Sequence, residues 1–512
     1  MNLKILFFST IACMVAFTGM TWAQEVVWKK NFGGSGVDEF SAVTAVSDGL
    51  VAVGHSYAFG NGDWTGVTGK GMWDAIIVKY DHEGNVIWKK SFGGNGRDEY
   101  YAVTAVTDGI IAVGYSDLTS FGNGDWEDVV LDKGFEKAII VKYDNAGNIV
   151  WKKYFDEGQS SFQSIVAVPD GFVAAGGGGM GGAAIIFKCD NEGNVLWNND
   201  YRHGSEDHAF LSVAAASDDI IAVGCTYNDV NFGRFDAVIV KYDSTGNVIW
   251  DQYFGGNGTD RYESVTLVSD GIIAVGQSRN DSFGNGDWVN VTGKGSTDAI
   301  IVKYDTAGNV VWKKNFGGSG NDTYHAVTVV SDNIIAVGSF GNDSFGNGDW
   351  TGVLAKDGSN NMIVIYDIEG NIVSKKNFNT GLFNDVTVVS DGIVVVGHSW
   401  RSNFDSGDWT GVTGKGETDA IMIKYGTLPI TSNAEILQGK GLRIYPNPAT
   451  AQLVIENGDL QIHTIEIFDA MGRLQQSETG QSETGVTIDI SQLQQGIYIL
   501  HVDGKTAKIV KR

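Results

Sequence analysis

Short apolar runs alternate with breaks rich in Gly, Asp and Asn along most of the chain, and the alternation recurs. From Phe40 onward one unit reads FSAVTAVSDG, LVAVGHS, a loop, DAIIVKYDHEGN and VIWKKSFGG. Runs of this length, β-branched and bounded by Asp-Gly or Gly-Asn, have the pattern of strands joined by hairpins, because those turn residues accept a positive φ. In the second unit the pattern predicts strands over 102–107, 110–116, 138–143 and 148–155, with tight turns at Asp108-Gly109 and Gly147-Asn148. Middle runs such as LVAVG and AIIVKY are apolar on both faces, which suits sheets stacked face to face. Trp28, Trp88, Trp151, Trp197, Trp250 and Trp312 mark the ends of successive units, with Ser374 in the seventh place, at spacings of 60, 63, 46, 53, 62 and 62 residues. Four antiparallel strands per unit, repeated radially, predict an all-β chain folded as a seven-bladed β-propeller.

Counting strands indicates how the ring closes. The third-strand pattern occurs seven times, at Asp74, Lys137, Ala183, Asp236, Asp298, Asn361 and Asp419. The fourth-strand pattern V-x-W-K-K-x-F follows only six of them, and after the last the chain departs through Gly426-Thr427-Leu428-Pro429. The missing strand lies at the other end of the chain, as Val26–Phe32, so the N-terminal strand is expected to complete the last blade and remove the free edges. Lysine pairs such as Lys89-Lys90 fall on the outermost strand and read as a charged guard against edge pairing. The stretch Tyr80–Trp88, Y-D-x-x-G-N-V-x-W, is similar to the D-x-x-x-G-x-x-x-W element of quinoprotein propellers. That resemblance implies that Trp88 and its equivalents pack between adjacent blades. The whole unit also resembles the seven-bladed repeats of bacterial surface proteins.

Strand order divides the loops between two faces. One face carries only tight turns; the other carries the links from second to third strand and from blade to blade. On that second face F-G-N-G-D-W recurs at Phe59–Trp64, Phe121–Trp126, Phe283–Trp288 and Phe345–Trp350, with the variant F-D-S-G-D-W at Phe404–Trp409. Binding residues concentrate on loops over a rigid scaffold, so this is the expected binding face. The candidate ligand-binding residues are Asp63, Trp64, Asp125, Trp126, Asp287, Trp288, Asp349, Trp350, Asp408 and Trp409. Three readings of these loops stay open. In the favoured one Gly and Asn shape the turn, Asp bonds to local backbone and Trp tucks beneath, since one pocket seldom needs four identical copies. In the second, exposed Trp faces are platforms for a glycan or peptide. In the third, carboxylates bind Ca²⁺, although Asp281, Asn285 and Asp287 do not have EF-hand spacing.

Composition narrows the function classes. The net charge of −25 argues against nucleic acid, which needs a basic face. No H-E-x-x-H, P-loop, G-x-S-x-G or Cys-rich metal spacing occurs. His55 and His398 fill one repeat position that is otherwise variable, and read as packing. No catalytic residue and no required cofactor is assigned. The expected role is binding of an extracellular glycan or protein; the alternative is a polysaccharide-active enzyme with its site at the central channel.

The two ends set the address. Lys4, the apolar run 5–17 and Thr21-Trp22-Ala23 have the form of a cleaved signal peptide over 1–23, with Ala23 and Gln24 flanking the cut. No later stretch is long and apolar enough to span a membrane. The two remaining cysteines, Cys189 and Cys225, form no framework and read as buried free thiols. The propeller is expected over 24–426 and a linker over 427–441. From Leu442 alternating strands predict a small antiparallel β-sandwich to residue 512. Tyr445-Pro446-Asn447-Pro448, Gly472-Arg473, Gly496 with Tyr498, and Lys508, Lys511 and Arg512 closely resemble the type A sorting domain of the type IX secretion system. The resemblance implies a bacterium of the Bacteroidota type, with that machinery and a sortase-like peptidase as partners. It also implies a final location that is secreted or on the outer-membrane surface.

Overall fold

The computed structural model describes residues 26–426 except 132–134, 156–159, 179–181, 203–206, 217–218, 228–234, 331, 354–359 and 380. In the C-terminal part it describes 442–445, 449, 451–457, 464–469, 474–479, 485–494, 496–502 and 505–511. Ala23 and Gln24 therefore lie outside the described residues, as do Pro446, Asn447, Pro448, Gly472, Arg473 and Arg512. The chain divides into two compact units, Met1–Leu428 and Pro429–Arg512.

In the first unit each sequence repeat becomes one four-stranded antiparallel sheet, giving an all-β, propeller-like array. The first sheet runs Asp38–Val46, Gly49–Ser56, Asp74–Tyr80 and Val86–Phe92, in that spatial order. The third and fourth sheets are joined by one extra pairing, Gly177 with Ala209. The last sheet, Leu382–Val389, Gly392–Trp400 and Thr418–Gly426, takes its fourth strand from the N-terminus: Val26–Phe32 pairs with it from Tyr425 to Ala420. Innermost strands of successive sheets touch, and the last touches the first, so they enclose an axis.

Sheet packing follows from the doubly apolar strands. Val51, Val53, Ile76, Ile77 and their equivalents are buried, and each core cluster draws on two neighbouring sheets. The tryptophans fasten the rim. Trp88 lies against Gly147 in the next sheet's turn, where φ is +79° and a Cβ would stand 2.9 Å from the indole, and its N–H donates to the Asn145 carbonyl at 3.1 Å. Trp28, Trp151, Trp197, Trp250 and Trp312 lie likewise against Gly84, Gly193, Gly246, Gly308 and Gly370. This arrangement also accounts for Ser374. Its neighbour is the seventh sheet, whose third and fourth strands come from opposite ends of the sequence, so no turn exists there for an indole to cover.

Two expectations are corrected. The innermost strand of the second sheet is Asp98–Val106, starting four residues earlier than the pattern predicted, so part of the link between sheets is strand. The outer lysines do more than guard an edge. The ammonium groups of Lys29, Lys89, Lys152, Lys313 and Lys375 donate to the carbonyls of Asp408, Asp63, Asp125, Asp287 and Asp349 in the long loops. In six sheets a third-strand lysine, such as Lys79, pairs with the Asp of the tight turn, here Asp48 at 2.8 Å. Cys189 and Cys225 are both free and buried.

The C-terminal unit has two antiparallel sheets. One comprises Leu442–Tyr445, Gln452–Asn457 and Gly485–Asp489; the other Leu474–Thr479, Thr464–Asp469, Gly496–Val502 and Lys505–Lys511. Leu453, Ile465, Ile467, Ile488, Leu500 and Ile509 form their shared core.

Candidate functional site

The F-G-N-G-D-W loops are staples between sheets. Gly62, at φ +54°, starts a single 3₁₀ turn that carries Trp64 inward, and a Cβ there would stand 2.5 Å from the Gly33 carbonyl. Trp64, Trp126, Trp288, Trp350 and Trp409 are all 0% exposed. The Trp64 indole sits edge-on to Phe32, with centroids 4.8 Å apart, and donates to Asp38 at 2.6 Å. The platform reading of the five tryptophans is thereby corrected: the Gly turn folds each indole into the core, where no face meets solvent.

The aspartates are engaged as well. Asp63, Asp125, Asp287 and Asp349 accept from the N–H of Gly33, Gly93, Gly255 and Gly317 at 2.9–3.0 Å, and Asp408 accepts from Asn379 at 2.9 Å. Three also take a lysine from the preceding sheet's loop: Lys415 to Asp63, Lys70 to Asp125 and Lys294 to Asp349. A loop repeated around the ring is thus accounted for by repeated inter-sheet contacts. For the Ca²⁺ reading, no group of three His, Cys, Asp or Glu suited to a metal ion occurs among the described residues. Surface hollows of about 450 and 500 Å³ lie over the second sheet's staple, beside Trp126 and Lys152. Their walls are the staple and outer strand, joined in the first by Gly193–Val195 of the third sheet's turn.

The repeats diverge at the long-loop end of the innermost strands. There each sheet places one first-strand residue opposite one second-strand residue: Glu39 with His55, Glu99 with Tyr115, Ser161 with Gly177, Ala209 with Cys225, Arg261 with Gln277, Thr323 with Ser339 and Leu382 with His398. No two pairs are alike, although the scaffold beneath them repeats. On the side of the fifth and sixth sheets the polar groups satisfy one another. Arg261 pairs with Glu263 at 2.8 Å, Thr323 with Gln277 at 2.7 Å and His325 with Ser339 at 3.0 Å.

The sector formed by the seventh, first and second sheets is different. His55 stands between two carboxylates, its Nε2 4.0 Å from Glu39 and its Nδ1 3.8 Å from Glu99, while His398 Nδ1 is 3.4 Å from Glu39. Neither ring nitrogen of His55 has a hydrogen-bond partner, nor has His398 Nδ1. Burial pushes both imidazoles down to about 4, so they are neutral at pH 7 and these proximities are not ion pairs. Burial, with the neighbouring Glu99, pushes Glu39 up to about 7. Glu99 is raised by burial too, opposed by a hydrogen bond from Tyr115 at 3.0 Å. Aromatic side chains fringe the cluster. Trp73 stacks on His55 at 4.5 Å with Arg97 above its ring, while Tyr57 is 56% and Trp400 41% exposed.

Reading His55 and His398 as packing therefore missed their surroundings. The signal was present: two acids at one repeat position, Glu39 and Glu99, and two histidines at its cross-strand partner. Starting the innermost strand at 102 instead of 98 concealed it, because cross-strand register exists only once Glu99 is assigned to a strand.

Of the sorting-motif residues, Tyr445 ends a strand and Gly496 begins one. Tyr498 is buried and donates to the Gln494 carbonyl at 2.9 Å; Lys508 and Lys511 lie on the final strand, Lys511 buried.

Comparison with known proteins places the C-terminal unit. Residues 443–512 match the family of secretion system C-terminal sorting domains. That tail marks the chain for the type IX secretion system, as a secreted or surface-attached protein. No helix among the described residues is long and apolar enough to cross a membrane. The chain is also similar to the regulatory protein FlaEY of Caulobacter vibrioides, 27% identical over 109 residues, which is 21% of this chain and 11% of that protein. Among solved structures it is similar to BamB from Moraxella catarrhalis, with 14% identity and a TM-score of 0.40 over 78% of this chain and 99% of that one.

Proposed function

We propose that the sheets are the blades of a seven-bladed β-propeller, exported through the type IX system, that binds an extracellular ligand at the long-loop end of its axis. One observation carries this reading: a scaffold repeated blade after blade changes its residues at the long-loop end of its innermost strands, and in one sector of that end His55 and His398 hold buried ring nitrogens without hydrogen-bond partners among the described residues. Groups of that kind cost free energy until something pairs with them, so they suit a site that a ligand completes. The long loops support the site by stapling the blades that carry it.

The test is a binding screen of the purified chain against extracellular glycans and proteins, repeated with Glu39→Gln and His398→Asn. A ligand whose affinity falls at least tenfold in both variants supports the reading. Ligands that bind all three chains equally would move the site elsewhere. A second reading, hydrolysis at the same cluster, rests on Glu39 beside neutral imidazoles, the protonation states an acid–base pair requires. Release of soluble products from a bound polymer, lost in Glu39→Gln, would favour it.

A further inference from the structure

The kind of partner follows from what the cluster lacks, and the inference rests on the binding reading above. Among the described residues nothing donates a hydrogen bond to the Glu39 carboxylate, and its closest polar neighbours, His398 Nδ1 at 3.4 Å and His55 Nε2 at 4.0 Å, are themselves unpartnered. His55 is 7% and His398 6% exposed, so these groups lie almost wholly below the surface. The nearest guanidinium, that of Arg97, is held over the Trp73 ring at 5.8 Å. The sector therefore holds two carboxylates with no lysine or arginine in ion-pair contact among the described residues, beside neutral imidazoles that each keep one N–H and one bare nitrogen.

We propose that this sector receives a primary alkylammonium group: a lysine side chain of an extracellular polypeptide, or a free linear amine. An ammonium brings three donors, one positive charge and no acceptor, which is the complement of two carboxylates and the one unprotonated nitrogen that each neutral imidazole keeps. The imidazoles are almost wholly buried and the Glu39 and Glu99 side chains only 26% and 14% exposed, so a charge reaches all four best at the tip of a thin stem, and an unbranched methylene chain is such a stem. Apolar surface to cover that stem stands around the cluster, with Tyr57 56%, Met72 53% and Trp400 41% exposed. The Trp400 ring, beside His398, adds the attraction of an aromatic face for a cation. An amino sugar carries its ammonium directly on a broad ring and cannot reach as deep. A neutral sugar offers hydroxyl groups but no charge to offset Glu39 and Glu99.

The experiment is calorimetric titration of the full chain with n-butylamine and with an end-blocked Gly-Lys-Gly peptide, each beside its N-acetylated form. The amines should bind, acetylation should weaken binding at least tenfold, and Glu39→Gln should do the same, while Asp343→Asn on an exposed loop leaves it unchanged. His398→Asn serves as the second variant should Glu39→Gln fold poorly. A tenfold preference for the peptide assigns the lysine source; equal affinities assign a free amine. No amine binding, or acetylated forms binding as well, overturns the ammonium assignment. If a neutral glycan instead binds in a Glu39-dependent manner, the site stands and only the ligand class falls. If no ligand responds to either variant, the binding reading falls with it.

Discussion

Replacing Phe32 by alanine removes the most deeply buried side chain of the strand that closes the ring. Along Val26–Phe32 the first two residues are exposed and the next four half-buried, but Phe32 is 2% exposed. It packs edge-on to Trp64 at 4.8 Å and Tyr80 at 6.4 Å and stacks on Phe40 at 5.9 Å, all in the first sheet. Truncating a buried Phe to Ala costs about 3–5 kcal/mol, transfer and cavity together. Unfolding entropy of about 2.1 cal/mol/K per residue over about 400 residues is roughly 0.8 kcal/mol/K, so the melting temperature should fall by about 5 °C. Calorimetry of residues 24–512 would measure this. Phe92→Ala is the internal control, since Phe92 holds the same position in a sheet whose four strands are continuous in sequence and is 0% exposed. Equal losses mean that the closing strand is bonded as firmly as its covalently linked equivalents. A fall below about 1 °C for Phe32→Ala beside the full loss for Phe92→Ala would refute the closure.

Four further expectations concern single positions and the C-terminal tail. Gly147→Ala should destabilise by about 1–3 kcal/mol in urea unfolding, because φ is +79° and the new methyl meets the Trp88 ring at 2.9 Å; Ser374→Trp should stay within about 0.5 kcal/mol of the parent, there being no turn for the indole to cover. Asp385 accepts from the Val43 N–H at 2.9 Å where Ser164, Ser212 and Ser264 do the same in three of the other sheets, and burial raises it to about 7. A carboxyl raised on folding contributes stability that is complete below its unfolded value near 4 and is lost as pH climbs to about 7. Asp385→Ser should therefore gain stability relative to the parent between pH 5 and pH 8, and a pH-independent difference would contradict the shift. Deleting residues 442–512 should hold the propeller in the periplasm, read by protease accessibility on whole cells; undiminished surface display would defeat the sorting assignment.

Much of the architecture is legible along the chain because it depends on local rules. Asp-Gly and Gly-Asn turns, apolar runs of strand length and the unpaired Val26–Phe32 segment report strand count and closure directly. The repeated Trp on one strand and Gly in the next unit's turn even announce the rim contact. The loops were harder. F-G-N-G-D-W looks the same whether its Trp faces solvent or the core, since a single 3₁₀ turn, set by the φ of Gly62, decides between them.

What the sequence determined by itself was therefore periodic and local: the strands, their turns, the closing segment, and the sorting tail at 443–512. What only the tertiary structure decided was proximity between residues far apart in the chain. Glu39 and His398 are 359 positions apart along the sequence. They come within 3.4 Å because ring closure sets the last sheet beside the first. Burial then does what no sequence pattern reports: it takes water from Glu39, His55 and His398 together, moves their proton affinities in opposite directions, and leaves imidazole nitrogens without hydrogen-bond partners beside carboxylates.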